Sequence, residues 1–269
     1  MNKELLSRFL TSIILVPLLL WALYGLSGLY FLVFIALIII IGAIEFSKMI
    51  DVKSWLVVLL MIIALVLILF LPLSYYYLFL SIVVIWWLIN GYFIFSFPEK
   101  QKFWYKNKGL RIFNVLMVLM PTFVSLIIIR NNLGFNWLLF LLFVIWSADI
   151  GAYFSGKAFG KLKLAPKVSP GKSIEGVLGG ILLAILTTIM IDYLGFVKFD
   201  NLFSYIVLTI LVVLISIIGD LFESLFKRVS GVKDSGNLLP GHGGILDRID
   251  SLTAAAPLFL LGSLVIEYL

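Results

Sequence analysis

Two carboxylates three residues apart on a helix, followed by a glycine-rich stretch that mixes Asp with Lys and Arg, form a pattern suited to a metal ion and phosphate oxygens. Asp220 and Glu223 supply the first part, and the run KRVSGVKDSGNLLPGHGGILDRID from Lys227 to Asp250 supplies the second. The i, i+3 spacing puts Asp220 and Glu223 on one helical face, where they could converge on one cation. The alternative is that they pair with lysines of the adjacent loops. Carboxylates suit Mg2+, which in turn binds substrate phosphates, while Lys, Arg and backbone N–H groups in Gly-rich turns cradle the phosphate oxygens themselves. Asp247 and Asp250 flank Arg248 where a last helix begins. Asp at a helix start also serves as a cap, so Asp250 is assigned to capping and Asp247 to metal. His242, the only histidine, stands between Gly241 and Gly243; it either shapes a tight turn or touches substrate.

A second charged stretch lies upstream. Asp149 ends an apolar run, and Lys157, Lys161, Lys163, Lys167 and Lys172 follow among Gly156, Gly160, Pro166 and Pro170. Charges at the ends of apolar helices are costly unless paired, hydrated or bound to metal, so they mark sites by default. Membrane topology alone would explain two or three of these lysines. Five of them suggest a basic pocket for an anionic lipid headgroup or a triphosphate, with Lys157, Lys167 and Lys172 as binding candidates. The Gly156/Gly160 and Gly176/Gly180 pairs have the spacing of tight helix contacts.

The elements that must carry these residues are membrane helices. Of the 269 residues, 63% are hydrophobic and 13% charged, and mean hydropathy is +1.18, beyond ordinary soluble composition. The apolar runs are continuous rather than alternating, which predicts helices and not a β-barrel. About nine spans are predicted, at 9–26, 28–47, 55–72, 75–97, 112–129, 135–155, 174–197, 202–222 and 252–269. The first is read as a retained span, being longer than a signal core and lacking a clear cleavage site. Of the 20 Lys and Arg, all except Arg130 and Lys198 fall on the side of the N-terminus. This predicts a cytoplasmic N-terminus and an outside C-terminus. The net charge of +6 is therefore a topology signal, and no nucleic-acid partner is expected. With no cysteine, disulfides and thiolate chemistry are excluded. Residues 1–132 read as scaffold helices and 133–269 as the catalytic part. A transporter would spread its charges along a path near the midplane; here they gather at one face. A prenyl-diphosphate type of transferase fits the Gly-Pro-His loop less well.

The run from Asp220 through Ser224, Lys227, Arg228, Lys233, Asp234, Pro240, His242, Gly243, Gly244, Asp247 and Arg248 to Asp250 resembles the signature of the phosphatidate cytidylyltransferase family. Asp149 to Gly156, Phe159-Gly160 and Leu164 to Gly176 are similar to that family as well, although Ile150 stands where relatives more often carry a small hydroxyl residue. The resemblance covers about 100 residues of the C-terminal half. It implies attack of a phosphatidic acid oxygen on the α-phosphorus of CTP at the inner face of a bacterial-type cytoplasmic membrane, among membrane lipids and with a homodimer as a further expectation. In that scheme Asp220 and Asp247 hold Mg2+, with Asp149, Glu223 and Asp234 nearby and a second cation as an option. Lys227, Arg228, Lys233 and Arg248 pair with phosphate oxygens, and Ser224 and His242 join Lys157, Lys167 and Lys172 in the substrate set.

Overall fold

The computed structural model describes residues 3–99 and 107–268. Lys100, Lys102 and Lys106, expected on the inner side, lie outside the described residues. Among those described, the chain forms helices α1 (Lys3–Gly25), α2 (Gly28–Met49), α3 (Ser54–Leu69), α4 (Leu73–Phe95), α5 (Lys108–Ile128), α6 (Phe135–Phe159), α7 (Ile174–Tyr193), α8 (Leu202–Ser230) and α9 (Leu246–Tyr268). Seven of these, α2 and α4 to α9, contain segments long and apolar enough to cross a membrane. The chain is an all-α polytopic membrane protein. Its outward residues are large and apolar, as on α4, where Leu78, Ile82, Ile85 and Leu88 are all exposed.

Successive helices run up and down. Arg111 at the start of α5 donates from Nη1 to the Ile50 carbonyl at the end of α2 (2.9 Å), and Arg130 past the end of α5 donates from Nε to the Leu23 carbonyl at the end of α1 (2.9 Å). The two arginines therefore mark opposite ends of the bundle. Away from the charged loops, Trp137, Phe140, Phe199, Tyr205 and Phe259 pack together, with Phe199 and Tyr205 stacked at 4.5 Å.

Three local features differ from the sequence reading. The loop after α6 folds into an antiparallel ribbon, β1 (Lys163–Ala165) and β2 (Ser169–Ser173), with Lys163 opposite Ser173 and Ala165 opposite Ser169. Pro166 and Pro170 disfavour a helix there, and a two-stranded ribbon has open edges that tolerate them. Helix α8 continues eight residues past the predicted boundary at 222, because Phe222 and Phe226 pack edge-on against Trp87 and Phe46 at 5.3 and 5.0 Å. It stops at Gly231, which takes the left-handed conformation (φ 73°) that an αL cap requires. Helix α9 begins at Leu246 rather than 252, for a reason given by the site itself.

Candidate functional site

The charged loops, the hairpin and the ends of α6 to α9 meet at one end of the bundle. Ser173 caps α7 by accepting from the Gly176 N–H (3.1 Å), which fixes the hairpin against the helix it leads into. Lys172, one residue earlier, thereby reaches α8, where its Nζ lies 2.6 Å from Asp220 Oδ2. Ser224 Oγ, one turn on, donates to Asp220 Oδ1 (3.2 Å). Helices α8 and α9 can touch here because a Cβ at Gly219 would come within 2.6 Å of the Asp250 carbonyl oxygen. Asp250 lies within Coulombic range of Asp220 and Lys172, and Asp149 within range of Asp220, Lys172 and Arg248. Three carboxylates, a lysine and an arginine thus share one neighbourhood.

Glu223, Lys227 and Asp247 form an adjoining network, which Asp250 also borders, lying within Coulombic range of Glu223 and Lys227. Lys227 sits between Glu223 Oε1 (3.0 Å) and Asp247 Oδ1 (2.9 Å), with its side chain only 13% exposed. Asp247 also accepts from the Ser235 N–H (2.9 Å), Ser235 Oγ (2.9 Å) and the Gly244 N–H (2.8 Å). Beside it, Glu45 of α2, buried at 5% exposure, accepts from the Leu246 N–H (2.8 Å), the Ile245 N–H (3.1 Å) and Ser235 Oγ (3.3 Å). Orphan N–H groups at a helix start need acceptors. Glu45 supplies one to Leu246, the first residue of α9, and to Ile245 just before it, while Asp247 folds back onto the Gly244 N–H, and α9 so starts six residues earlier than its apolar run.

This geometry divides the predicted set. Both oxygens of Asp247 accept hydrogen bonds and Oδ1 also meets Lys227, so Asp247 ties the loop to α8. Asp250, assigned to capping, accepts from the Ser251 N–H (2.7 Å) and lies within Coulombic range of Asp220, Lys227 and Lys172. Glu223 shares a helix face with Asp220 and pairs with Lys227, which bridges it to Asp247. Arg228 Nε donates to the Val168 carbonyl (3.1 Å) and so holds the hairpin. Lys157 lies near the Tyr153 ring (5.8 Å) and, with Lys161 and Glu175, lines an open recess apart from Asp220. Lys167 lines a small recess with Phe95 and Phe97.

Two cavities flank the Asp220 cluster. The first, about 540 Å³, is polar and lined by Lys233, Asp234, Asn237, Pro240, His242 and Arg248. Arg248 donates from Nε (3.1 Å) and Nη2 (2.8 Å) to the His242 carbonyl, which fixes its guanidinium at the rim. The second, about 210 Å³, is mainly apolar and runs between α6, α7 and α8, with Asp149, Lys172 and Ser173 beside Ala152, Val177, Val213 and Ile217. It depends on close packing of α6 and α7, since a Cβ at Gly151 would lie 2.5 Å from the Gly179 carbonyl oxygen.

Glu45 was missed by sequence reasoning. A lone Glu near the end of an apolar run, followed by Lys48, looks like an ordinary interfacial residue. The available signal was its position inside the hydrophobic stretch of α2, where a carboxylate needs a partner.

A family model for the cytidylyltransferase family matches residues 6–265. A Pseudomonas aeruginosa protein named phosphatidate cytidylyltransferase is 38% identical over 258 residues, 94% of each chain. Proteins of the same name from Haemophilus influenzae and Brucella suis are 48% identical over 65% of each chain and 46% identical over 54% of each.

Proposed function

The chain belongs to the cytidylyltransferase family, and from that premise we infer that it transfers the cytidylyl group of CTP to phosphatidic acid, giving CDP-diacylglycerol and pyrophosphate. The supporting observation is that a polar cavity and a mainly apolar one, lined respectively by Arg248 and Asp149, flank a cluster in which those two side chains lie within Coulombic range. A triphosphate suits the first cavity, and a lipid phosphate with the glycerol end of its acyl chains suits the second.

In the reaction an oxygen of the lipid phosphate bonds to the α-phosphorus of CTP. The bond from that phosphorus to the oxygen bridging to the β-phosphate breaks, and pyrophosphate leaves with the electron pair. The lipid phosphate is already anionic near neutral pH, so positioning and charge neutralisation outweigh general-base chemistry. Lys172 can exchange Asp220 for the incoming lipid phosphate. Lys233 and Arg248 take the triphosphate, with Arg248 pre-set by the His242 carbonyl.

Among the described residues no three acidic or histidine side chains are grouped closely enough to ligate one ion. Mg2+ that bridges substrate phosphates needs only one or two protein carboxylates, and the all-oxygen set of Asp220 and Asp250, with Asp149 nearby, fits that requirement. When bound, the cation would offset charge on the triphosphate. The excess of Lys and Arg at this end of the bundle supports a site facing the cytoplasm.

Pyrophosphate release by the purified protein in detergent tests the reading, with CTP compared against ATP, GTP and UTP, with and without phosphatidic acid and Mg2+. Release is expected only with CTP, lipid and metal together. Release without the lipid, or indifference to the base, would overturn it.

A further inference from the structure

We propose that Glu45 is a positioning residue for nucleotide binding: from the N-terminal half of the chain, it staples both ends of the loop that lines the polar cavity. The cavity residues lie mainly on the run from Lys233 to Gly243. Glu45 touches none of them. It accepts instead from the Ile245 and Leu246 N–H groups just beyond its end and, near the start of that run, lies 3.3 Å from Ser235 Oγ, whose single proton it shares with Asp247. Between these points the loop is tied to itself by the Leu239 N–H to Gly243 carbonyl and His242 N–H to Leu239 carbonyl bonds, both 2.9 Å. Glu45 from α2 and Asp247 from α9 therefore close the base of the loop together, and Glu45 is the member of the pair that ties it to the N-terminal half and helps set where Lys233 and Arg248 stand.

The loop is built around this carboxylate. A Cβ at Gly236 would lie 2.5 Å from Glu45 Oε1, and one at Gly244 would lie 2.5 Å from Glu45 Oε2. Ser235 is held from two sides, by Glu45 and by Asp247, so the staple joins the Lys227 network as well. Alanine at position 45 would leave the buried Leu246 N–H and the Ile245 N–H without an acceptor, and the loop would have to move to satisfy them. Glutamine would keep an acceptor but turn an amide donor toward N–H groups that also donate.

The inference rests on the assignment of CTP to the polar cavity, and the experiment separates the two. Steady-state kinetics of the full chain in detergent, with CTP and phosphatidic acid varied in turn, are compared for wild type, Glu45→Ala, Glu45→Gln, Gly236→Ala and Lys233→Ala. Glu45→Ala should raise KM for CTP at least about tenfold, as loss of hydrogen bonds to a charged group implies, with KM for the lipid unchanged. Glu45→Gln and Gly236→Ala should shift it the same way by less, and they carry the test if the alanine protein does not accumulate. Loss of kcat alone, with both KM values unchanged, would mark Glu45 as merely structural and overturn the inference. If Lys233→Ala raises KM for CTP while the Glu45 and Gly236 variants do not, the staple falls and the cavity assignment stands. An unchanged KM for CTP in Lys233→Ala would remove the nucleotide from that cavity, and the inference with it.

Discussion

Residue by residue, the acids at this site separate by what already occupies their oxygens. Asp220 meets a lysine and a serine that substrate binding can displace, whereas Asp247 is held by two backbone N–H groups, a hydroxyl and a buried ammonium. Asp220→Asn and Asp250→Asn should each lower turnover by at least about a hundredfold, the scale of losing a charge-stabilising group, with little change in thermal stability. Asp247→Ala should lower both activity and Tm, because breaking a buried pair costs about 3–5 kcal/mol. Pyrophosphate assays beside thermal melts in detergent separate the two classes; an Asp247→Ala protein with wild-type Tm would count against its clamp role. The sequence marked the acid-rich stretch as one candidate region but could not say which partner each acid meets. Asp247 and Asp250 differ by three positions, and which one faces Asp220 depends on how α9 packs against α8 at Gly219.

At the scale of elements, apolar runs located the helices, and their charged ends were misjudged where tertiary contacts lengthened them. Two aromatic contacts carry α8 past its apolar run, and α9 gains a turn from a carboxylate 201 positions away in sequence, a partner that local pattern does not reveal. The ribbon of β1 and β2 was hidden among prolines and lysines that read as loop. The glycine spacing in α7, by contrast, pointed correctly to a tight contact, which proves to be with α6: a Cβ at Gly180 would lie 2.7 Å from the Ala148 carbonyl oxygen. That contact also shapes the apolar cavity, so Gly151→Val should push α6 and α7 apart and raise KM for phosphatidic acid severalfold, with KM for CTP held. The reverse pattern would place the lipid elsewhere.

For the whole molecule, the absence of cysteine makes topology directly measurable. Single cysteines placed at Lys53 or Asn237 should react with an impermeant thiol reagent only from the cytoplasmic side, and one at Lys198 only from the outside. Labelling of all three from one side would contradict the up-and-down arrangement. Helix α8, at 29 residues, is about 43 Å long, against a hydrocarbon core of about 30 Å. Asp220 lies 18 residues along it, about 27 Å from its start, so if α8 enters the hydrocarbon at its first residue, Asp220 comes close to the opposite boundary of acyl chains and headgroups. A lipid whose phosphate already rests at that level can react without being drawn out of its leaflet. Withdrawal would cost about 0.8 kcal/mol for every methylene exposed, and under the proposed function a helix long enough to bring Asp220 to the phosphate plane would spare the substrate that desorption work.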